Sequence, residues 1–357
     1  MSKGKVLVAM SGGVDSSVAA ALLLEQGYEV LGATMRLWSP EGAEYYDNPG
    51  GCCSLSSATD ARRVANQLGI PFYVLNFRDA FADKVVSYFV NEYRAGRTPN
   101  PCIACNRHMK FDLFLQKAFA LGLDFMATGH YARRVIEGER CYLEQGVDES
   151  KDQTYALYNI TSEQLQHVLF PLGNLTKPEV RELARRYQLP TAEKAESQEI
   201  CFIPDDDYKR FLQEEAGISP RPGDVVLQNG EVIGRHSGVH NFTVGQRRGL
   251  GITWPEPLYV IRVRPESDQV VVGTATDVWS AELLAGDYNL LYWPSDSDTA
   301  ELTAKVRYNA VAQPCQVQLF PNRQMRVQFG QPVRAVTPGQ AVVLYSGQRV
   351  VGGGIIF

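Results

Sequence analysis

Residues 11–17, with the sequence Ser-Gly-Gly-Val-Asp-Ser-Ser, have the types and spacing that phosphate binding requires. They stand between an apolar run typical of a strand and a helical pattern rich in alanine and leucine. Two glycines let the backbone approach a ligand, and the amides and positive end of the following helix favour an anion. The stretch lacks the Lys-Ser/Thr pair of a Walker A loop and the third glycine of a dinucleotide fingerprint. It therefore predicts a phosphate loop of another class, the alternative being a glycine turn with a serine cap.

Three of the seven cysteines have surroundings that favour reactivity. Cys102 and Cys105 fall in residues 97–106, which we interpret as a loop stiffened by two prolines and leading into a helix with basic residues at its start. Positive charge and a helix N-terminus both lower the pKa of a thiol and raise its thiolate fraction. The third, Cys201, lies near the end of the α/β pattern described below, so the sequence predicts a reactive thiol group.

A Cys-X-X-Cys pair alone is also typical of a zinc site, a redox dithiol or an iron–sulfur ligand pair. His108 could supply a third zinc ligand, but the sequence offers no convincing fourth. The remaining cysteines are interpreted as structural: Cys141 and Cys315 as small buried hydrophobic residues, and Cys52 and Cys53 as structural or surface residues.

These chemical groups need a rigid scaffold, and the hydrophobic pattern up to about residue 190 predicts one. Strands are expected at 5–10, 30–35, 72–77 and 125–128, and helices at 16–26, 57–68, 80–94, 110–120, 162–168 and 178–187. Repeated β-α-β units of this length are typical of a parallel sheet covered by helices on both faces. The phosphate loop then joins the first strand to the first helix.

Beyond about residue 204 the pattern changes to short strands separated by Gly, Pro, Asn and Asp turns. Strands are expected at 225–228, 258–263, 270–272, 302–306, 316–320, 325–329 and 341–345. Such spacing is typical of small barrels or sandwiches. We therefore divide the chain into an α/β catalytic domain, residues 1–204, a small central β-rich module, residues 205–281, and a C-terminal β-barrel-like module, residues 282–357.

The composition excludes several classes of protein. With 357 residues, 45% of them hydrophobic and 21% charged, the chain is globular rather than disordered or collagen-like. No apolar run approaches the ~20 residues that span a bilayer, so no membrane partner is expected. Sparse cysteines without a signal peptide indicate a reducing compartment, and a cytoplasmic location is expected. A formal net charge of −5 argues mildly against wholesale nucleic-acid binding.

Several motifs together resemble those of the tRNA-specific 2-thiouridylases, a family within the pyrophosphate-loop ATP pyrophosphatases. Besides the phosphate loop they are Gly-Arg-Thr-Pro-Asn-Pro at 96–101, Ala-Thr-Gly-His-Tyr at 127–131, Lys-Asp-Gln-Thr-Tyr at 151–155, Glu-Ser-Gln-Glu-Ile-Cys-Phe at 196–202, Gly-Gln-Arg-Arg-Gly-Leu at 245–250 and Lys-Val-Arg-Tyr at 305–308. They occur in the family's order over almost the whole chain, so the resemblance is specific. It implies an adenine nucleotide α-hydrolase-like catalytic domain and a central module that binds tRNA.

The resemblance implies a transferase that uses ATP with Mg²⁺ to thiolate a tRNA. ATP would activate the C2 carbonyl of the anticodon wobble uridine as an adenylate, and sulfur would then displace AMP to give 2-thiouridine. Cys201 would carry this sulfur as a persulfide, and Cys105 would be the partner nucleophile, leaving a disulfide between the two. Asp15 would help to hold the magnesium ion. The sulfur donor would be a cysteine desulfurase or a relay protein, and a monomer is expected.

Carried over position by position, the resemblance predicts three sets of binding residues. The ATP-binding set is Ala9, Met10, Ser11, Gly12, Gly13, Val14, Asp15, Ser16, Met35 and Gly129. The target-base pocket comprises Asn100, Pro101 and Cys102. The residues that contact tRNA elsewhere are His130, Lys151, Asp152, Gln153, Arg307, Tyr308 and Gln340. Alternatives stay open, since Asp152 and Gln153 could cap a turn and Arg307 could be a solvated strand residue.

Cys102 departs from the family pattern. Many members carry Asp at this position, and a thiol does not substitute cleanly for a carboxylate that only accepts hydrogen bonds. Cys102, Cys105 and Cys201 instead resemble the three-cysteine set of related thiolases that ligate a four-iron four-sulfur cluster. Cluster-dependent transfer is therefore the alternative to a persulfide relay. Another adenylating pyrophosphate-loop ligase and a non-enzymatic tRNA-binding module are the rival functions.

Arginines predict where tRNA would contact a chain of acidic net charge. The candidates are the pairs at 62–63, 133–134, 185–186 and 247–248, together with Arg307. Because phosphate contacts release counterions, tRNA affinity should fall by at least about tenfold between roughly 50 and 200 mM salt, in spite of the net charge of −5. Filter binding across a salt series measures this, and an affinity that is independent of salt would contradict it.

Overall fold

The computed structural model describes residues 2–38, 55–195, 200–203 and 205–357. Cys52, Cys53, most of the 196–202 motif and Pro204 lie outside these ranges. The chain forms two compact units. Unit 1 contains Met1–Val86, Cys102–Asp206 and Gln348–Val350, and unit 2 contains Ser87–Pro101, Asp207–Gly347 and Val351–Phe357.

Unit 1 is built on a parallel sheet of five strands. The strands of unit 1, including two outside this sheet, are in chain order β1 Lys5–Ala9, β2 Glu29–Arg36, β3 Phe72–Asn76, β4 Phe125–Ala127, β5 Ala132–Glu137, β6 Arg140–Gln145 and β7 Val168–Leu169. The parallel sheet has the order β3-β2-β1-β4-β7. The strands β5 and β6 form an antiparallel hairpin that the sequence analysis did not predict.

Helices connect these strands and continue into unit 2. The α-helices are α1 Val14–Glu25, α2 Leu55–Leu68, α3 Arg78–Phe81, α4 Ser87–Arg94, α5 Pro101–Cys105, α6 Leu115–Ala120, α7 Ser162–Leu165, α8 Lys177–Arg186 and α9 Tyr208–Arg210. Wider π-helical turns cover Ala82–Val86, Asn106–Phe114 and Phe211–Glu215, and 3₁₀ turns cover Thr154–Leu157, Val239–Asn241 and Pro265–Ser267. Two predictions were wrong in detail: residues 101–105 are helical rather than a loop, and the helix expected at 162–168 ends at Leu165, with Val168 in a strand.

The hydrophobic core of unit 1 explains why the sequence pattern predicted the strands of its parallel sheet. Val6, Leu7 and Val8 of β1 are completely buried, which produces the continuous apolar run of a strand covered on both faces. Val18 of α1 and Val180 of α8 belong to the same hydrophobic core. This packing fixes the start of α1 relative to the sheet, and with it the phosphate loop.

Unit 2 contains a four-stranded sheet followed by a barrel. The sheet consists of β8 Gly223–Leu227, β9 Val232–His236, β10 Tyr259–Arg264 and β11 Gln269–Gly273 in the order β10-β11-β8-β9. The barrel consists of β12 Trp279–Leu290, β13 Thr299–Lys305, β14 Gln313–Phe320, β15 Gln324–Arg334, β16 Ala341–Ser346 and β17 Arg349–Ile356. Its order is β12-β15-β14-β13-β16-β17, and pairing of β12 with β17 closes it.

The predicted fold class is confirmed: a parallel α/β domain is followed by two β-rich modules. The boundaries near residues 204 and 281 stay predictions. Cys315 is buried in the barrel core as expected, whereas Cys141 is only partly buried. Within the described ranges, no helix has the length and apolar character needed to cross a membrane.

Candidate active site

The order of the parallel sheet brings two loops to one edge. β1 and β4 are neighbours, and the chain travels outward from β1 to β3 before it returns to β4 on the other side. Ligands of open α/β sheets bind outside the carboxyl ends of the strands at such a switch point. The phosphate loop follows β1 and residues 128–131 follow β4, so both lie where a nucleotide would bind.

Gly12 determines the shape of the phosphate loop. Its φ of +69° is a left-handed conformation that favours glycine. A Cβ at this position would also collide with the carbonyl oxygen of Ser57, a buried residue of α2. The amide of Ser17 donates to the carbonyl of Gly13 at 3.3 Å as the α1 ladder begins. The helical amides before Ser17 have no intrahelical acceptor, and these are the donors that an anion would use.

Gly129 is the point at which the second loop meets the first. A Cβ on Gly129 would lie 2.7 Å from the carbonyl carbon of Asp15 and 2.7 Å from the amide nitrogen of Ser16. The approach therefore requires glycine. Met10 and Met35, also predicted to bind ATP, are 1% and 8% exposed. Their side chains belong to the interior beneath the loop.

Asp15 is engaged by a buried lysine that the sequence analysis did not identify. Nζ of Lys177 lies 2.7 Å from Oδ1 and 2.8 Å from Oδ2 of Asp15. The hydroxyl of Tyr131 donates to Oδ1 at 2.8 Å. Lys177 is 8% exposed, and a buried ammonium needs a counterion because its removal from water costs several kcal/mol. Asp15 supplies that counterion.

The expected role of Asp15 as a magnesium ligand stays a prediction. A carboxylate is the kind of oxygen donor that Mg²⁺ accepts together with substrate phosphates, so Asp15 fits the ion chemically. Its charge is already matched by Lys177, however. A metal ion and Lys177 would compete for the same two oxygens.

A second lysine contacts the phosphate loop at Gly12. Nζ of Lys194 donates to the carbonyl of Gly12 at 3.0 Å and forms an ion pair with Asp60 of α2 at 2.7 Å. Lys194 thus joins Gly12 to the helix that carries Ser57. Gly12 is therefore restricted in two ways: its Cα packs too closely against Ser57 to carry a side chain, and its carbonyl accepts a hydrogen bond from the Lys194 ammonium.

His130 lies beside the loop in a neutral state. Burial of the ring, followed by repulsion from Lys110, holds its pKa well below the ordinary value of 6.5. Nε2 lies 3.3 Å from Nζ of Lys110, and Nδ1 lies 2.7 Å from Oγ1 of Thr128. Because an ammonium only donates, Nε2 accepts and Nδ1 carries the proton. The predicted contact of His130 with tRNA would therefore be made by a neutral ring.

The three cysteines of interest all lie in unit 1. Cys102 is exposed and Cys105 is partly buried, both on α5. Cys201 is partly buried, and the next residue, Phe202, packs against Phe81 with ring centroids 5.7 Å apart. Among the described residues, which include all three cysteines, no group of three or more His, Cys, Asp or Glu side chains is placed to hold a metal ion. The cluster ligand set is therefore not assembled in this structure.

The segment predicted to contact the target base begins in unit 2, where Gln340 holds the residues before it. Nε2 of Gln340 donates to the carbonyl of Thr98 at 2.8 Å, and the Thr98 amide donates to the carbonyl of Pro338 at 2.8 Å. Earlier in the sequence, Glu92 and Arg97 form an ion pair. In the structure the side-chain amide of Gln340 holds the segment that leads to Asn100, and its predicted contact with tRNA stays a prediction.

The predicted tRNA-binding residues fall into two groups. Asp152 is 8% exposed, and its Oδ1 accepts from the amides of Gly146 and Thr154 at 3.2 and 3.3 Å. Oε1 of Gln153 accepts from the Tyr131 amide at 3.0 Å. This geometry favours the alternative in which Asp152 and Gln153 organise a turn. Exposed residues that remain accessible to RNA are Arg307 and Tyr308, and Lys151 is partly exposed.

Part of the predicted arginine surface is neutralised. Arg185 pairs with Glu193 at 2.8 Å and Arg186 pairs with Glu25 at 3.4 Å. Exposed pairs of this kind contribute little stability, but they reduce the local positive charge. The pair at 185–186 is consequently a weaker candidate for phosphate contact than the sequence suggested.

The lysines around the loop were missed because their partners are distant in sequence. Lys177 and Asp15 are 162 residues apart, and Lys194 and Gly12 are 182 apart. One signal was present: Lys177 is the first residue of α8, where the helix dipole disfavours a cation. A lysine in that position is stabilised where tertiary packing brings a carboxylate to it, as Asp15 does here.

Family models of individual domains show the class of protein to which the chain belongs. A family model described as a tRNA methyl transferase HUP domain matches residues 4–205, one described as a tRNA methyl transferase PRC-barrel domain matches 209–274, and one described as an aminomethyltransferase beta-barrel domain matches 280–356. The chain is thus a HUP-domain protein with two β-barrel-type domains after it, in agreement with the observed sheet order and loop.

Full-length relatives then define the family. The chain is 54% identical to a protein named tRNA-specific 2-thiouridylase MnmA from Carboxydothermus hydrogenoformans, over 99% of this chain and 97% of that one. It is 51% identical to the protein of the same name from Acetivibrio thermocellus, over 100% of both. The domain models carry a methyl transferase label, but the relatives aligned from end to end are named thiouridylases. The chain belongs to the tRNA-specific 2-thiouridylase family.

Gly12 and Gly13 offer a matched pair of substitutions. Gly12→Ala should destabilise unit 1 by at least about 2 kcal/mol and abolish ATP binding, because a positive φ and a clash with Ser57 combine. Gly13→Ala is the control for folding, since its φ is −96° and the nearest atom to its Cβ lies 3.5 Å away. Urea unfolding measures the stability of the two variants. Equal stabilities of Gly12→Ala and Gly13→Ala would contradict the steric constraint at Gly12.

The protonation state of His130 can be read by NMR. Its ring should keep the neutral Nδ1–H signature through the pH range around 6.5 in which a free imidazole gains its proton, because burial and then repulsion from Lys110 disfavour the charged form. Lys110→Met should raise the His130 pKa toward 6.5, since it removes the repulsion. A titration of wild-type His130 near its ordinary pKa would show that the assigned state is wrong.

Proposed function

We propose that this protein is an ATP-dependent tRNA 2-thiouridylase that converts the wobble uridine of certain tRNAs to 2-thiouridine, with AMP and pyrophosphate as the other products. The observation that carries the proposal is the phosphate loop. It places the first amides of α1 at the switch point between β1 and β4, where a nucleotide binds. Membership of the thiouridylase family supplies the substrate class.

The first chemical step is adenylation of the base. The C2 oxygen of uridine attacks the α-phosphorus of ATP, the bond to the β-phosphate breaks, and pyrophosphate leaves. The loop amides and the positive end of α1 bind the leaving pyrophosphate. Magnesium, held through Asp15 and the phosphates, would neutralise charge on the triphosphate. The uridine must leave the anticodon stack to be reached, as is usual for enzymes that modify bases.

The second step transfers sulfur. The outer sulfur of a persulfide on Cys201 attacks C2, and AMP leaves with the original oxygen. The thiol of Cys105 then attacks the inner sulfur of Cys201, which breaks the sulfur–sulfur bond and leaves 2-thiouridine. Two thiols are oxidised to a disulfide as the sulfane sulfur is reduced, so an external thiol must reduce the enzyme before the next turnover.

A persulfide relay is favoured over an iron–sulfur cluster. The relay needs Cys201 and Cys105, whereas a cluster would need Cys102 as a third ligand. Cys102 is exposed at the start of α5, and the three cysteines do not form a metal-ligand group among the described residues. Cys102 then replaces the family's Asp in the target-base pocket without a role as a ligand.

Residues outside the reactive cysteines bind the target base and the rest of the tRNA. Asn100 and Pro101 contact the target base, and Arg307 and Tyr308 contact tRNA from unit 2. Residues 1–204 perform the reaction, while 205–281 and 282–357 hold the tRNA. A cysteine desulfurase or a relay protein supplies the sulfur, and the enzyme acts as a cytoplasmic monomer.

Thiolation of an unmodified tRNA transcript tests the proposed function. With ATP, Mg²⁺ and a sulfur source, the product should migrate slowly in a gel that contains immobilised mercury, because mercury binds the thiocarbonyl. Omission of ATP should abolish the shifted band. No shift with wild-type protein would contradict the function and favour another adenylating ligase or a binding module.

Cysteine substitutions separate the two mechanisms. Cys105→Ser and Cys201→Ser should lower the thiolation rate at least about 100-fold, because each removes a sulfur that forms or breaks a bond. Cys102→Ser should cost less than about tenfold, and Cys141→Ser is the matched control in the same unit. A severe loss with Cys102→Ser, together with iron and sulfide in anaerobically purified protein, would overturn the relay in favour of the cluster.

A further inference from the structure

Cys102 and Cys105 share one face of a helix. Both lie on α5, in which the two residues between them are buried, with Ile103 3% and Ala104 9% exposed. Cys102 is exposed and Cys105 is partly buried. Side chains three positions apart on a helix are neighbours, with Cβ atoms about 5–6 Å apart. The two thiols are therefore adjacent on the side of α5 opposite its buried residues.

The first turn of α5 allows this pair to close into a disulfide. A disulfide needs Cβ atoms at roughly 3.5–4.5 Å, so the pair must approach by about 1–2 Å. The first amides of a helix have no intrahelical acceptor, and α5 begins at Pro101, so a shift of the Cys102 amide breaks no hydrogen bond of the helical ladder. Just after Cys105 the chain is fixed, since Nδ2 of Asn106 donates to the carbonyl of Ala156 at 2.8 Å. Cys102 can thus close on Cys105 without movement of the residues that follow.

Cys201 belongs to a different segment. The amide of Ile203 donates to the carbonyl of Ile200 at 2.8 Å, which closes a turn that contains Cys201. The disulfide that the proposed reaction leaves therefore joins two segments that are distant in sequence. The backbone of α5, in contrast, keeps Cys102 beside Cys105 at all times, and a thiol held in this way has a high effective concentration.

We propose that Cys102 is a resolving cysteine, which displaces Cys201 from Cys105 after sulfur transfer and so restores the Cys201 thiol for the next persulfide. The inference rests on the proposed function, since it assumes the disulfide between Cys105 and Cys201 that the relay leaves. The thiolate of Cys102 attacks Sγ of Cys105, and the bond from Cys105 to Cys201 breaks. Cys201 leaves as a thiolate and takes up the proton that Cys102 lost. One disulfide replaces another, so this step consumes no oxidant or reductant.

The exchange moves the disulfide to a position that a reductant can reach. An external thiol must approach one of the two sulfurs in order to attack, and Cys102 is exposed whereas Cys105 and Cys201 are both partly buried. An external dithiol then reduces the bond between Cys102 and Cys105 by two electrons and becomes a disulfide itself. The Cys201 thiol is available for sulfur before that reduction takes place.

Mass spectrometry after one turnover without reductant tests the inference. Enzyme loaded with persulfide by a cysteine desulfurase reacts with a tRNA transcript, ATP and Mg²⁺, and excess N-ethylmaleimide then alkylates the remaining thiols. After trypsin digestion, Cys102 and Cys105 lie in one peptide, residues 98–107, and Cys201 lies in another, residues 195–209. Most of the disulfide should be internal to the peptide 98–107, and Cys201 should be alkylated.

Two variants show whether the thiol of Cys102 causes this pattern. In Cys102→Ser the exchange is impossible, so the disulfide should join the two peptides. Alkylated Cys201 should then fall at least about tenfold for each 2-thiouridine formed. Cys141→Ser is the matched control, because it removes a thiol on β6 of the same unit, and it should keep the wild-type pattern.

Two results would overturn the inference while tRNA thiolation stands. One is a wild-type share of the disulfide between Cys105 and Cys201 that equals or exceeds the share between Cys102 and Cys105. The other is product formation with all three cysteines alkylated, which would also exclude the relay. Wild-type protein that forms no 2-thiouridine would instead overturn the proposed function and the inference with it. Because product and disulfides are measured in the same sample, these failures are distinguishable.

Discussion

The close approach of Gly129 to the backbone of Asp15 and Ser16 is the constraint on which the site depends. It brings the loop after β4 against the loop after β1. The order of the parallel sheet makes the contact possible, because β1 and β4 are neighbours although more than 100 residues separate them. The glycine makes the contact close enough that the hydroxyl of Tyr131, two residues later, reaches Asp15.

Charge around the loop is arranged before any ligand is present. Lys177 contacts it through the Asp15 carboxylate, and Lys194 contacts it through the Gly12 carbonyl. Burial of the ring, and then repulsion from Lys110, lower the pKa of His130 well below its ordinary value. The first amides of α1 are therefore in position before a triphosphate binds, whereas both ammonium groups are already paired with carboxylates.

The sequence allowed the phosphate loop and the parallel sheet to be predicted because both depend on local patterns, namely continuous apolar strands and glycines at a strand-to-helix turn. The helix at 101–105 was misjudged: Pro101 indicated a loop, yet proline is favoured at the first position of a helix, which it occupies here. The hairpin at 132–145 was missed because its strands mix polar and apolar residues and are mostly only partly buried. The Lys177 and Asp15 pair depends on tertiary packing, which no local pattern records.

The central claim is that the loop cleaves ATP between the α- and β-phosphates so that the C2 oxygen of uridine leaves as part of AMP. A tRNA transcript labelled with ¹⁸O at C2 of its uridines tests this most directly, with AMP analysed by mass spectrometry after thiolation. One labelled oxygen is expected in the AMP for each 2-thiouridine formed. Unlabelled AMP, or ADP as the nucleotide product, would contradict it.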